Sequence, residues 1–146
     1  YAKETGPRYR ARLELSGRDT NEVTAAVAKW TQALNPAKPD DAQALLECLW
    51  VFEEHRVPNF ELLKTVFTAA EPRVRAAAIR TLGHWGTKLT GWEPTLLAAA
   101  RDNSALVRAE PKIATFRRSL YGPNIAYASR ISVSAAVAIL RSSVSG

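Results

Sequence analysis

The feature that most constrains the fold is an internal repeat in the middle of the chain, with a period of roughly 34 residues. The pair Leu62-Leu63 recurs as Leu96-Leu97, and the pair Val74-Arg75 recurs at nearly the same spacing as Val107-Arg108. A period of this length with two amphipathic segments per unit is typical of an α-solenoid, in which no helix pair buries its apolar face alone. The alternative is chance similarity between two helix pairs. The repeat predicts an all-α fold, an α-solenoid of antiparallel helix pairs with about seven or eight helices.

Glycine and proline divide the chain into segments whose lengths suit helices better than strands. Apolar residues recur in them at three- and four-residue steps. The predicted helices are Asn21 to Leu34, Asp40 to His55, Phe60 to Ala69, Arg73 to Trp85 and Trp92 to Ala100, with a further one capped by Asp102-Asn103-Ser104. Predicted buried stripes are Val23, Ala26, Val27, Trp30 and Leu34 on the first helix, and Leu45, Cys48, Leu49 and Phe52 on the second. Predicted N-caps are Asp19 or Thr20, Asp40 or Asp41, and Asn59.

The helical spacing of apolar residues becomes less regular toward the C-terminus. Pro111 falls about two turns into its helix, where proline removes a backbone hydrogen bond and clashes with the preceding turn, so we expect a kink or a restart there. Ser132 to Ser143 fits a last helix, although Ile125 to Val133 also fits a strand. We therefore predict a helical-repeat domain over residues 1–120 and a C-terminal segment, 121–146, with one helix.

The stretch from Leu62 to Gly83, with Val74-Arg75 near the start of its second helix, resembles the HEAT-repeat consensus. In that family the arginine braces adjacent repeats through an acidic residue or a carbonyl. Asp102 occupies the family's acidic position in the later unit, whereas Glu110-Pro111-Lys112 departs from the small residues of the consensus. The resemblance implies a scaffold that binds a protein or peptide.

Residues Tyr9 to Arg108 are also similar to the HEAT-like region of large secreted proteins of planctomycete-type bacteria, which commonly neighbours a c-type cytochrome domain. Stretches such as Leu45-Leu46-Glu47-Cys48-Leu49-Trp50 carry this similarity. It implies an extracytoplasmic location. No Cys-x-x-Cys-His occurs, so no haem role is carried over. Because the chain begins with Tyr1, we expect a fragment or a processed product.

Charge and motifs narrow the functional classes. The chain has 20 Lys and Arg against 14 Asp and Glu, a net charge of +6 that permits attraction to nucleic acid, although scattered arginines also fit a solvated surface.

The single cysteine, Cys48, allows no intrachain disulfide and no cysteine-based metal cluster, and we expect it to be buried. No membrane span is predicted. Gly-x-Ser-x-Gly, Walker and dinucleotide motifs do not occur, so no cofactor is predicted.

The candidate binding residues lie on the second helix of the repeat and around the loop that follows. They are Arg73, Arg75, Arg80, Trp85, Lys88 and Trp92. Two indoles beside a glycine-bounded loop suit a cation or a stacked ring. The alternative is that both indoles pack between repeats.

The candidate catalytic residues are His84, Glu54 and His55, which are types used in general acid–base chemistry. Adjacent helical residues point in different directions, so the alternative for Glu54 and His55 is a solvated helix end with His55 near the C-terminal dipole. No metal site is predicted, because the two histidines are far apart in the chain and the cysteine has an apolar context. An atypical site would draw on Glu47, Glu54 or Asp102.

The sequence favours a non-catalytic protein-interaction module. The alternatives are a nucleic-acid-binding protein resembling HEAT-like DNA glycosylases and a hydrolase with an atypical site. Because neither end of the repeat array has an obvious polar cap, a homo-oligomer through the end repeats is a further expectation.

Overall fold

The computed structural model describes residues 5–85 and 90–111, which form seven helices and no strand. The helices are α1 (Thr5–Ser16), α2 (Thr20–Thr31), α3 (Pro39–Glu54), α4 (Phe60–Phe67), α5 (Pro72–Trp85), α6 (Glu93–Ala100) and α7, described over residues 105–111. The predicted all-α class and helix number are confirmed within these residues. The predicted boundary at residue 120 and the elements predicted after it lie outside them.

The chain divides into two compact units, unit 1 (Tyr1–Glu71) and unit 2 (Pro72–Gly146). The division falls between α4 and α5. Each unit is built around one strongly buried helix: eight of the sixteen residues of α3 and eight of the fourteen residues of α5 are buried. These two helices supply most of the described core.

Helix α3 is the centre of unit 1, where it packs against α1, α2 and α4. Its predicted stripe of Leu45, Cys48, Leu49 and Phe52 is fully buried. The stripe predicted for α2 is wrong in part, because Val23 is buried but Ala26 is exposed and Trp30 is 44% exposed. Helix α2 packs mainly against α3, so one side of it stays open to solvent, and Trp30 lies there.

Two helices, α2 and α4, begin at N-cap residues that the sequence predicts. The Asp19 carboxylate accepts a hydrogen bond from the Glu22 amide at 3.0 Å, and the Asn59 side chain accepts from the Leu62 amide at 3.0 Å. Each bond satisfies an amide that has no partner within its helix. The predicted caps Asp19 and Asn59 are confirmed.

The start of α3 corrects a prediction. The cap residue is Lys38, without a side-chain capping bond, and Pro39 is the first helical residue. Proline is suited to this position because its fixed φ matches the helix and its missing N–H would have no partner. The predicted caps Asp40 and Asp41 therefore lie inside the first turn, and Asp41 instead accepts from the Asn35 amide at 3.1 Å.

The end of α3 turns sharply through Arg56, which has a φ of 57°. The Arg56 amide donates to the Glu53 carbonyl at 2.9 Å, and the Val57 amide donates to the Phe52 carbonyl at 3.0 Å. These two bonds form a Schellman motif, whose left-handed position is usually a glycine. An arginine there retains a β-carbon that the conformation disfavours.

Unit 2 is described over α5, α6 and α7. The repeated valines Val74 and Val107 are both buried, as is Leu96, while Leu97 is 37% exposed. Helix α7 reaches Pro111 without interruption, and Pro111 is buried. The kink or restart predicted at Pro111 does not occur before that residue, and the chain after Pro111 lies outside the described residues.

Candidate interaction surface

Arg75, a predicted binding residue, is held by a two-pronged ion pair. Its Nε donates to Oδ2 of Asp102 and its Nη2 donates to Oδ1 of Asp102, both at 2.8 Å. Nη2 also donates to Oδ1 of Asn103 at 3.0 Å. The side chains of Arg75 and Asp102 are only 12% and 10% exposed. Fork-to-fork geometry with little solvent makes this a strong, well-oriented contact.

Asp102 collects further bonds at the turn that leads into α7. Its Oδ1 accepts from the Ser104 amide at 2.8 Å, and Nη1 of Arg108 donates to the carbonyls of Asp102 and Asn103, both at 2.9 Å. The hydrogen bond from Arg75 holds the pKa of Asp102 below its ordinary value, against the opposing effect of burial. Arg75 and Arg108, the arginines of the two repeated Val-Arg pairs, therefore both donate hydrogen bonds to the turn that precedes α7.

Arg80 forms a second ion pair of α5, with the Glu110 carboxylate of α7. The Glu110 side chain is buried, where a carboxylate needs a polar partner, whereas half of the Arg80 side chain is exposed. The Arg75 contact therefore lies at the turn before α7, whereas Arg80, later on α5, contacts a residue later in the chain, within α7. The two ion pairs therefore join α5 to the turn before α7 and to α7 itself, in the same order along both segments.

Among the other predicted binding residues, Arg73 lies at the start of α5, Trp85 at its C-terminal end and Trp92 at the N-cap of α6. Trp85 and Trp92 are both buried, at 5% and 4% exposure, and the indole Nε1 of Trp85 has no hydrogen-bond partner among the described residues. Arg73 is exposed. Lys88 lies outside the described residues. The two indoles are therefore packed inside unit 2 and are not open to solvent as a stacking surface.

The predicted catalytic residues divide between the units, with Glu54 and His55 in unit 1 and His84 in unit 2. Glu54 and His84 are not buried. His55 ends α3, where its Nε2 donates to the Leu15 carbonyl at 3.2 Å and its Nδ1 lies 3.1 Å from the Thr20 hydroxyl. The ring thereby joins the end of α3 to the turn between α1 and α2. His55 has a structural role that adjacency in sequence could not indicate.

The charge of the chain is unevenly distributed along the sequence. Residues 1–111 contain 15 Lys and Arg and 14 Asp and Glu, whereas residues 112–146 contain five Lys and Arg and no acidic residue. Two of the three arginines predicted to bind, Arg75 and Arg80, already contact carboxylates. The described helices therefore carry little net positive charge of their own.

Helix α1 has a feature that the sequence reasoning missed. None of its described side chains is buried, and Tyr9 and Leu13, one turn apart, are 59% and 62% exposed. We call Tyr9 and Leu13 the α1 strip. The available signal was the absence of a continuous apolar stripe on this segment, in which Arg8 and Arg12 occupy the positions that face α3.

The side of α1 next to the strip is fixed to α3 by charge. Arg8 and Arg12 each place Nε 3.6 Å from an oxygen of Glu47, and the Arg12 guanidinium lies 4.9 Å from the centre of the Trp50 ring. Gln43 donates to the same carboxylate at 3.1 Å. Glu47, considered for an atypical active site, is therefore a structural anchor. These contacts orient α1 so that its strip faces solvent.

Within residues 5–85 and 90–111, His, Cys, Asp and Glu form no group of three or more able to hold a metal ion. No helix in that part of the chain has the length and apolar character needed to cross a membrane. Comparisons with protein-family models, curated proteins and solved structures returned no match. The functional proposal therefore depends on the contacts and surfaces described above.

Proposed function

We propose that this chain is a protein-interaction module, a helical scaffold with HEAT-type stacking that binds a partner without covalent chemistry. The observation that carries the proposal is the α1 strip, a pair of large apolar side chains held in solvent by a helix that Arg8 and Arg12 anchor to α3. Contiguous exposed apolar surface on an otherwise packed protein is typical of a binding site.

The contacts of α5 with α7 support the scaffold part of the proposal. The repeated Val-Arg pairs stand one repeat apart on these two helices, and the Arg75–Asp102 and Arg80–Glu110 pairs join the two segments at two points in the same chain order. In a solenoid, corresponding helices of successive repeats stack in this way. Arg75 and Arg80 are then scaffold residues, and a partner would contact other side chains.

The first test is selection of a random-peptide phage library on the full chain. We expect peptide families that are enriched on the wild-type protein and lost on a Tyr9→Ser/Leu13→Ser variant. Leu97→Ser is a matched control, because it also removes an exposed leucine but in unit 2, and it should keep the same families. All these residues are solvent-exposed, so each variant should fold with a thermal midpoint close to that of the wild type.

Two results would overturn the proposal. One is the absence of any family that distinguishes the wild type from the double variant. The other is turnover of a substrate by the purified chain at a rate abolished by His84→Ala or Glu54→Gln, since a module without covalent chemistry has no such dependence.

Nucleic-acid binding is the alternative function, and it is tested by the shift in electrophoretic mobility of a short DNA duplex when the chain is added at a series of salt concentrations. Because Arg75 and Arg80 hold structural ion pairs, the exposed Arg73 is the predicted arginine to replace, and we expect any shift to persist in Arg73→Gln. Phosphate-driven binding falls with salt with a log–log slope near −0.9 per neutralised phosphate. A steep slope that Arg73→Gln reduces would instead favour a nucleic-acid-binding solenoid.

A further inference from the structure

We propose that the partner of the α1 strip is an acidic amphipathic helix, with apolar side chains that cover Tyr9 and Leu13 and carboxylates on both sides of them. This inference rests on the proposed function and names the chemistry of its partner. It follows from the positions of the arginines around the strip and from the charge of the other surfaces of the chain.

The strip lies between two arginines. Successive helical residues advance by about 100°, so Leu13 lies about 40° from Tyr9, Arg10 lies about 60° beyond Leu13, and Arg12 lies about 60° to the other side of Tyr9. A β-carbon built on Gly6 would stand 3.7 Å from Nη1 of Arg10. The Arg10 guanidinium therefore reaches back over Gly6, on the flank of the strip, and does not extend away from it.

The two arginines differ in how they are used within the chain. Arg12 shares the Glu47 carboxylate with Arg8 and lies over Trp50, yet a third of its side chain remains exposed. Arg10 is exposed and forms no ion pair with any described residue. A partner carboxylate can therefore bind Arg10 without displacing an existing contact. A ridge of two side chains one helical turn apart fits the groove on the surface of another helix, and charges at the rim then set its orientation.

Charge argues against the occupants that the chain itself could supply. Two copies paired symmetrically through α1 would place Arg10 and Arg12 of one copy against the same arginines of the other. Residues 112–146 carry five basic residues and no acidic residue, so they too would bring like charge to the strip. A lipid surface is also a poor match, because membrane-surface helices present a broad apolar face and α1 presents two large apolar side chains.

The decisive experiment uses peptides selected on the full chain and measures their binding by fluorescence anisotropy. We expect acidic residues on both sides of the apolar positions, and binding that weakens as salt is raised. Arg10→Glu should weaken binding by roughly three- to tenfold. Arg101→Glu is the matched control, since it makes the same change of charge on an exposed arginine of unit 2, and it should have little effect.

A charge exchange makes the test specific. A peptide in which the acidic residue facing Arg10 is replaced by arginine should bind the wild type more weakly and should regain affinity for Arg10→Glu. Peptides that require Tyr9 and Leu13 but are neutral or basic, or an Arg10→Glu effect no larger than that of Arg101→Glu, would overturn this inference and leave the proposed function standing.

Two other outcomes identify a different occupant and also overturn the inference. One is binding to vesicles of equal parts phosphatidylcholine and phosphatidylserine that is lost in Tyr9→Ser/Leu13→Ser. The other is a concentration-dependent dimer, measured by sedimentation, that the same double variant abolishes. Loss of every strip-dependent peptide would instead be a failure of the proposed function itself.

Discussion

Replacing Asp102 by alanine should destabilise unit 2 by about 3 kcal/mol, because removing one member of a part-buried, two-pronged ion pair leaves the other charge without its partner. Losses for fully buried pairs range over about 3–5 kcal/mol, and the lower end is the upper bound here, since the pair is only part-buried and Arg75 keeps its bond to Asn103. About 1 kcal/mol of the total comes from the Ser104 amide, which loses its acceptor. Asp102→Asn retains an acceptor for that amide and should cost about 2 kcal/mol.

The assay is urea unfolding followed by tryptophan fluorescence, in a background in which Trp30 and Trp50 of unit 1 are replaced by phenylalanine. The signal then comes from Trp85 and Trp92, which are buried in unit 2. A double-mutant cycle with Arg75→Met isolates the pair, and we expect the double variant Arg75→Met/Asp102→Asn to cost clearly less than the sum of the single changes. Additivity to within about 0.5 kcal/mol would refute the reasoning, because non-interacting sites behave in that way.

The same pair gives a pH dependence of defined sign. The pKa of Asp102 is lowered in the folded state, mainly by Arg75, so its contribution is present above the ordinary aspartate value of about 3.9 and is lost as pH falls through the lowered folded value. The difference in unfolding free energy between the wild type and Asp102→Asn should therefore be constant near neutral pH and shrink below about pH 4. A difference that stays constant as the pH is lowered to about 2 would contradict it.

Three further changes test unit 1. Arg56→Gly should raise the free energy of unfolding in urea by about 1 kcal/mol, because glycine adopts a positive φ without penalty. Arg56→Ala keeps a β-carbon and should not stabilise the protein. Equal effects of the two substitutions would contradict the backbone explanation. His55→Ala should cost about 1–2 kcal/mol through its bonds to Leu15 and Thr20, and Thr20→Val, which removes one of them, should cost less. Burial raises the pKa of Cys48 to about 12. A thiol reagent at mildly alkaline pH should therefore label Cys48 only at the rate at which the protein unfolds. Immediate labelling of the native protein would contradict the burial of Cys48.

The sequence predicted those elements in which local chemistry and packing agree. Leu45, Cys48 and Leu49 recur at helical spacing and are buried because α3 is covered by three neighbouring helices. Asp19 and Asn59 cap their helices because a cap requires only residues two or three positions away. Trp30 continues a correct helical period but is exposed, since periodicity fixes which residues share a face and cannot show whether another helix covers that face.

The candidate site was less predictable because its contacts join residues far apart in the chain. Arg75 and Arg80 were identified as important, but their partners Asp102 and Glu110 are 27 and 30 residues away, and a surface arginine and a paired arginine look the same in sequence. The sequence indicated Asp102 as a helix-capping residue and, through the HEAT-repeat resemblance, as the family's acidic position, but it did not show that Arg75 is its partner. His55 likewise contacts Leu15, 40 residues earlier, across a turn that no local pattern specifies.

The position of the charge changes how the basic character of the chain should be interpreted. A net charge of +6 describes the whole sequence, yet a basic binding face needs arginines that are exposed, unpaired and close together. In unit 2, Arg75 and Arg80 are paired with carboxylates that hold α5 against α7. In unit 1, Arg12 shares the Glu47 carboxylate with Arg8, and Arg10 forms no ion pair with any described residue. Both Arg10 and Arg12 flank the α1 strip, whose two side chains are the most exposed large apolar side chains of the described residues. Because apolar exposure and unpaired positive charge coincide there, α1 is better suited to contact an acidic partner than are the arginines of the repeat.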